Sequence, residues 1–358
     1  MFLQRLHFVN FKNFEENSFE FSPKINAFVG NNGKGKTNIL DAVYYLSFLK
    51  SYFNHQDKQN IRFEQNFFMI EGWFQKDKKE EHVLISVHTE QKKLAKRNEK
   101  TYDRLSDHLG KFPVVIISPY DRDLITEGSD TRRRFIDSII AQSDSVYLAE
   151  LIRYNKVLLQ RNALLKFFAA NRVFDAIQLD IFDHEIMKIG EYIFQQRQKF
   201  IKNFKPIFQK YYNFISTEKE IVEISYTSDL KNNELSYLKD NLSKDRLLQY
   251  TSAGVHKDDL KFKINAHPIK KFGSQGQQKS YLIALKLAQL EIIKNQLKIT
   301  PLLLLDDIFD KLDESRVEQI IKLVNEEHFG QIFLSDTHPE RTRMMLEKIN
   351  EDHQIFQL

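Results

Sequence analysis

The residues Gly30-Asn31-Asn32-Gly33-Lys34-Gly35-Lys36-Thr37 fit the P-loop pattern G-x-x-x-x-G-K-[ST], which has meaning only between a strand and a helix. Both flanks comply. Ile25-Asn26-Ala27-Phe28-Val29 is a short apolar run that reads as a buried strand, and Asn38 to Leu46 carries apolar residues at helical spacing. The glycines let the backbone curl so that successive N–H groups point at a phosphate, and the helix start adds its own donors and positive dipole end. Lys36 is expected to reach the β- and γ-phosphates of a nucleoside triphosphate and to act in catalysis, and the Thr37 hydroxyl to hold Mg²⁺. Gly30, Asn31, Asn32, Gly33, Lys34, Gly35 and Asn38 complete the expected contact set. A Gly-rich turn arising by chance is the competing explanation, and it is weak in a chain with 11 Gly among 358 residues.

A chain of 358 residues with 42% hydrophobic content can bury a full core, and its length suggests two domains or one domain with a large insertion. With Cys at 0, no disulfide framework or thiolate metal site can form, and a reducing compartment is natural. No apolar run is long enough to span a bilayer, and Met1-Phe2-Leu3-Gln4-Arg5 lacks the apolar region of a signal peptide. The expectation is a soluble, cytoplasmic protein with no membrane partner. A formal charge of +4 permits a nucleic-acid partner without requiring one.

Along the chain, Leu3-Gln4-Arg5-Leu6-His7-Phe8 and Phe19-Glu20-Phe21 alternate as half-buried strands do, and Phe67 to Phe74 and Val83 to Val87 read as further strands. The charged runs at 76–81 and 92–97 read as solvated hairpin tips, with a DNA-facing edge as the alternative. Val114-Val115-Ile116-Ile117 is apolar throughout, as a strand buried on both faces is. From Gly128 the texture turns helical, with repeats such as Leu151, Tyr154, Leu158, Arg161 and Leu165, or Ile186, Ile189, Ile193 and Phe200. Strand character returns at Ile221-Val222-Glu223-Ile224. The expected architecture is α/β: a P-loop sheet domain with antiparallel N-terminal strands, interrupted by a helical lid domain. Its parts are residues 1–125, the helical insertion 126–220, and the resumed sheet domain 221–358.

Three C-terminal stretches stand out, Gly273 to Gln278, Leu302 to Asp307 and Ile332-Phe333-Leu334-Ser335-Asp336-Thr337-His338, and the first two add chemistry. Leu302-Leu303-Leu304-Leu305 reads as a buried parallel strand with Asp306 and Asp307 at its C-terminal end, where open α/β sheets bind ligands. Asp306 is assigned to the metal, and Asp307 to orienting or deprotonating the attacking water. Ser274-Gln275-Gly276-Gln277-Gln278 precedes a strongly periodic helix. A hydroxyl and exposed N–H groups there suit a phosphate, and equally suit a plain N-cap. One chain with two such helix starts suggests that the second docks on the γ-phosphate held by another copy's P-loop.

The order of P-loop, S-x-G-Q-Q, L-L-L-L-D-D and Lys311-Leu312-Asp313 resembles the ABC-type ATPases of the Rad50 and SMC group, and most of all the RecF family. Asn10-Phe11-Lys12-Asn13-Phe14, Ser118-Pro119-Tyr120-Asp121, Arg132-Arg133-Arg134-Phe135-Ile136-Asp137, Gln160-Arg161-Asn162-Ala163-Leu164-Leu165-Lys166 and Gly254-Val255-His256-Lys257-Asp258-Asp259 extend the likeness along nearly the whole chain. The resemblance implies an ABC-ATPase-like fold and an ATP-gated DNA clamp. Two copies would close head to tail on two ATP molecules with Mg²⁺, Ser274, Gly276 and Gln277 of each facing the other's P-loop. Asp313 joins the nucleotide-contact set, and slow, DNA-stimulated hydrolysis opens the clamp. It also implies DNA repair, replication restart and the SOS response, with RecO and RecR as partners in loading recombinase at gaps on single-stranded, double-stranded or junction DNA.

Several positions depart from the family pattern: Asp41 stands where Glu is usual, Val255 where Pro is usual, and Ser51-Tyr52-Phe53-Asn54-His55 where Ser-His-Arg is usual. No Gln follows the strand ending at Ser118. His338 is the residue available for the switch histidine, and a surface His before Pro339 is the alternative. Arg132, Arg133 and Arg134 fall in a helix first turn, where acids are favoured, so either a phosphate or internal salt bridges must compensate them. Lys92, Lys93, Lys96, Arg97, Lys202 and Lys205 are further DNA candidates. The other readings are a DNA-binding module that uses ATP only as structural glue for its dimer, another Rad50/SMC-like ATPase, and a P-loop kinase or transporter subunit.

Overall fold

The computed structural model describes residues 1–54, 56–216, 220–232, 236–307, 319, 329–349 and 351–358. These fall into two compact units. The first comprises Met1–Asp121, Phe214–Thr217 and Ser280–Leu358, and the second Arg122–Asn213 and Glu218–Lys279. Among the described residues no helix is long and apolar enough to cross a membrane.

The first unit holds two sheets. Strands β1 (Phe2–Val9), β2 (Glu16–Glu20), β4 (Phe67–Lys76), β5 (Lys79–His88), β6 (Leu94–Arg97) and β7 (Lys100–Thr101) form an antiparallel sheet ordered β2-β1-β4-β5-β6-β7. Its β4–β5 hairpin turns at Asp77 and Lys78, both at positive φ, so the charged run there is a hairpin tip. Strands β3 (Ile25–Val29), β8 (Val114–Ile117), β12 (Leu302–Asp306), β13 (Ile332–Asp336) and β14 (His353–Gln357) form a parallel sheet ordered β14-β3-β13-β12-β8. Every residue of β3, β8, β12 and β13 is buried, which is why these stretches are apolar without alternation. β8 is an edge strand of this sheet, yet it is buried throughout, with Val114 and Ile116 in the main apolar cluster.

The P-loop helix, Lys36–Phe48, shares one apolar cluster with Leu6 and Phe8 of β1, Phe68 and Ile70 of β4, and Leu304 and Phe333 of the parallel sheet. A helix enclosed in this way needs no polar face, and Ile39 to Phe48 is buried throughout. It lies so near β4 that a Cβ on Gly72 would stand 2.4 Å from Leu46 Cδ1.

The second unit contains helices Ser129–Ser143 and Ser145–Asn171 and most of the long helix Ala176–Ser216. It also contains β9 (Val222–Thr227), β10 (Asp259–Ile264) and β11 (His267–Pro268), which form a separate sheet ordered β11-β10-β9. Resumption of the ATPase sheet at residue 221 is therefore not what is observed: 220–279 group with the helices, and the first unit resumes at Ser280. The physical reason is pairing. Among the described residues β10 bonds β9 and β11 and has no ladder to either sheet of the first unit.

Two buried arginines organise the second unit. Arg161 donates to Asp183 (2.6 Å), Asp245 (2.7 Å) and the Thr251 hydroxyl (2.9 Å), while Asn162 accepts both the Thr251 N–H and hydroxyl at 2.8 Å. Arg197 grips Asp137 through two bonds of 2.9 Å and also donates to Asp258 and to the Val255 carbonyl. Burial pushes the Asp258 carboxyl up, and Arg197 pulls it back. Several stretches that carry the family resemblance are thus this unit's internal ion-pair framework.

Candidate nucleotide site

The loop between β3 and the P-loop helix has Gly30, Gly33 and Gly35 at φ 149°, 83° and 98°, the left-handed half of backbone space that glycine tolerates. At Gly35 a Cβ would lie 2.5 Å from the Phe14 ring and 2.8 Å from Asn13 Nδ2, so the N-terminal segment closes one side of the loop. Asn38 Nδ2 donates to Asn13 Oδ1 at 2.7 Å, fixing that side. On the other side Gly30 N–H donates to the Asp336 carbonyl at 3.3 Å. Lys36 is buried, and its ammonium donates to the Gly30 (2.7 Å) and Asn31 (3.1 Å) carbonyls. It is thus held over the curl where phosphate oxygens are bound in P-loops.

The three strands that end beside this loop bring the acids to it. The Thr37 hydroxyl donates to Asp306 Oδ1 at 2.8 Å, and the Ser335 hydroxyl donates to the same oxygen at 2.8 Å. Asp307 N–H donates to Ser335 Oγ at 3.0 Å. One chain of hydrogen bonds therefore joins the P-loop helix to the ends of β12 and β13. Burial pushes the Asp306 carboxyl up, with the Asp307 charge adding to it, and the Ser335 and Thr37 hydroxyls pull it back. A hydroxyl and a buried carboxylate 2.8 Å apart are hard oxygen donors of the kind Mg²⁺ takes, and a divalent cation would offset the burial cost. The residues present fit the ion.

Asp336 is buried at the end of β13. Burial opposes its ionisation, but Arg341, the Thr342 hydroxyl and the His338 N–H outweigh it and hold the carboxyl below its ordinary value. His338 is the N-cap position of helix Pro339–Leu346, exposed, two residues past the strand end. Asp41 is fully buried and takes Lys12 (2.6 Å), the Ser51 hydroxyl (2.6 Å) and Tyr52 N–H (2.8 Å), so it anchors the loop that stands in place of Ser-His-Arg. After β8, where a Gln is usual, Asp121 accepts from Ser118 N–H (2.8 Å), Lys286 (2.6 Å) and the Tyr52 hydroxyl.

Ser274 and Gln277, in the second unit, form a reciprocal cap at the start of helix Gln275–Leu297. Gln277 N–H donates to Ser274 Oγ at 3.2 Å, and Ser274 N–H donates to Gln277 Oε1 at 2.7 Å. The Gln277 amide also reaches Glu220. Ser274 stays exposed, with Gly276 in the first turn behind it. Asp313 lies outside the described residues.

The arginine run is largely committed to internal partners. Arg132 pairs with Asp259 through two nitrogens (2.7 and 3.2 Å), and Arg133 donates to Ser129 Oγ and the Asp258 carbonyl, both at 2.7 Å. Arg134, with 57% of its side chain exposed beside Asp130, is the member left to solvent. Of the other candidates, Lys93 pairs with Asp57 and Arg97 with Glu81. Sequence reasoning gave no role to Ser335, Asp336, Asp41, Asp121 or Lys286. A Ser-Asp at the end of a second wholly apolar run is the signal that could have marked Ser335 and Asp336.

The chain is similar to known proteins along its whole length. The RecF/RecN/SMC N terminal domain family matches residues 2–356. A DNA replication and repair protein RecF from Flavobacterium johnsoniae is 53% identical, covering 100% of both chains, and one from Bacteroides thetaiotaomicron is 48% identical, covering 100% of this chain and 97% of the relative. A solved structure of the recombination mediator protein RecF-ATPrS in the RecFOR pathway superposes with TM-score 0.89 at 29% identity, covering 100% of this chain and 96% of that one. A Pyrococcus furiosus Smc head domain, at TM-score 0.57 and 18% identity, shares the fold.

Proposed function

The chain belongs to the RecF family of DNA replication and repair proteins, and from that premise we propose that it is an ATP-switched DNA clamp of recombinational repair. The observation that carries the reading is the hydrogen-bonded chain Thr37–Asp306–Ser335–Asp307, which sets two carboxylates beside the P-loop rather than elsewhere on the sheet. Lys36 and the loop N–H groups would hold the β- and γ-phosphates of ATP. Thr37 and Asp306 would hold Mg²⁺, which would neutralise charge on the transferring phosphoryl group. Asp307 would orient the attacking water and take its proton. The Ser274–Gly276 corner would be supplied by a second copy, completing each site around the γ-phosphate, so that ATP closes a homodimer on DNA and slow hydrolysis opens it. The RecFOR pathway named for the solved relative makes RecO and RecR the expected partners in the cytoplasm, in recombinase loading at gaps and in the SOS response.

Sizing in solution with ATP and Mg²⁺, together with phosphate release, tests this. The wild type should dimerise and turn over slowly. Asp307→Asn should dimerise, persist as the dimer and lose about a hundredfold or more in hydrolysis. Lys36→Ala should lose nucleotide binding, and Ser274→Arg should bind ATP and stay monomeric. Dimers that persist equally in wild type and Asp307→Asn, with negligible turnover in both, would mean that ATP is structural glue.

A further inference from the structure

The long helix Ala176–Ser216 carries a surface that the nucleotide chemistry does not use. Between Glu191 and Glu218 the chain has 26 residues with no Asp or Glu, although these make up 49 of 358 residues, about one in seven. Ile193, Phe200, Phe204 and Phe208 turn into the core. What the same turns present to solvent is Gln195, Gln198, Lys199, Lys202, Asn203 and Lys205. Among the described residues, no carboxylate pairs with Lys199, Lys202 or Lys205. These lysines follow one another at intervals of three, where like charges repel, and solvated helix faces normally relieve that with interleaved acids. Here the acids are missing and uncharged amides, which donate to phosphate and sugar oxygens, take their place.

A second helix extends the same surface. Phe135 of helix Ser129–Ser143 meets Phe204 edge-on, with ring centroids 6.3 Å apart. That contact packs the helix that carries Arg134, itself paired with Asp130 at 2.9 Å, against the turn that carries Phe204. From Lys199 to Lys205 the helix advances about 9 Å, against about 3.4 Å of axis per phosphate on one DNA strand, so the stripe is long enough to face two or three phosphates.

We infer that the stripe Lys199–Lys202–Lys205, with Arg134 beside it, is a contact surface for the phosphate backbone of duplex DNA, positioning the duplex without reading its bases. The inference rests on the DNA-clamp reading and assigns it a surface. The test is fluorescence anisotropy of a labelled duplex with ATP and Mg²⁺ over a KCl series, for the wild type, the triple variant Lys199→Gln/Lys202→Gln/Lys205→Gln, and a control triple Lys58→Gln/Lys78→Gln/Lys79→Gln that removes the same charge elsewhere. The stripe variant should bind about tenfold or more weaker, and the slope of log K against log salt should shrink by about two to three, at about 0.9 for each phosphate that is no longer neutralised. Its hydrolysis without DNA should match wild type, and the control should bind less than about threefold weaker. An unchanged salt slope, an equal loss in the control, or tighter binding to phosphatidylglycerol vesicles than to duplex at equal salt would overturn the assignment. If the wild type binds no duplex at all, the clamp reading falls with it; if the wild type binds and the stripe variant is unaffected, only this surface falls.

Discussion

Two histidines, one in each unit, are held in the same way. His108 accepts from the Tyr102 hydroxyl at Nδ1 (3.0 Å) and donates from Nε2 to the Leu46 carbonyl (2.7 Å). His256 accepts from the Tyr154 hydroxyl (2.8 Å) and donates to the Thr251 carbonyl (3.0 Å). A carbonyl can only accept, so Nε2 carries the proton in both, and with the pKa lowered by burial Nδ1 is left to accept and the ring is neutral at pH 7. Burial pushes each down to about 4. The unfolded histidine takes its proton near 6.5, so the unfolded state binds more protons between the two values. Stability is then full above pH 6.5 and lost as pH falls toward 4, by about 2 kcal/mol per histidine at pH 5. Thermal melts should show Tm falling from pH 7.5 to 5. His256→Gln should start lower at pH 7.5 but fall less steeply, and parallel curves for variant and wild type would remove this histidine as a cause. At this scale the place of Asp306 and Asp307, at a strand end that meets the P-loop helix, was legible because an apolar run ends on them. Ser335 was not, because its role depends on a strand-to-strand register, Asp306 beside Ser335, that no local pattern encodes.

At the scale of elements, helix Gln275–Leu297 is pinned by one buried cation. Lys286 bonds Asp121 at 2.6 Å and contacts the Tyr52 hydroxyl at 3.3 Å, while Tyr52 N–H bonds Asp41 on the P-loop helix. Helix Gln275–Leu297, the turn after β8 and the P-loop helix are thus tied together by groups that water barely reaches. Removing one partner of a buried pair leaves the other uncompensated, so Lys286→Met should cost about 3–5 kcal/mol. Lys286→Met/Asp121→Leu should recover a substantial part of it, and urea unfolding of the two variants decides; a double variant no more stable than the single would assign the loss to packing instead. At the loop itself, Gly35→Ala combines a φ of 98° with a Cβ against Phe14 and Asn13. Calorimetric ATP titration should show binding lost while the far-ultraviolet dichroism of the fold is retained. Helix and strand periods made most of these elements legible, including Val114–Ile117 and the three long helices. They misplaced β9 and β10 because alternation shows that a strand exists, not which sheet it joins. Arg161 sat on a face read as apolar, and it is indeed buried, on carboxylates that lie 22 and 84 residues away in the chain.

Across the whole molecule, both units combine an apolar core with buried ion pairs: the first ties Lys286 to Asp121 and Lys12 to Asp41 around the cluster that encloses the P-loop helix, and the second holds Arg161 and Arg197 on carboxylates drawn from several of its elements. Arg161 is the sharpest test of whether the units unfold independently, because its side chain is fully buried and serves two carboxylates and a hydroxyl at once, all within the second unit. Leucine fills similar space but strands Asp183 and Asp245, a loss of about 3–5 kcal/mol by the ordinary cost of breaking a buried ion pair. Lysine keeps the charge yet lacks the planar fork that reaches three partners, so Arg161→Lys should fall between wild type and Arg161→Leu. Hydrogen exchange reads the result segment by segment. Protection in Arg161→Leu should drop across Ser145–Asn171, around Asp183 and through β9 and β10, while β3, β12 and β13 exchange as in the wild type. ATP binding at the P-loop should then survive a substitution that loosens the unit bearing Ser274. Equal loss of protection in both units would show that they unfold as one body.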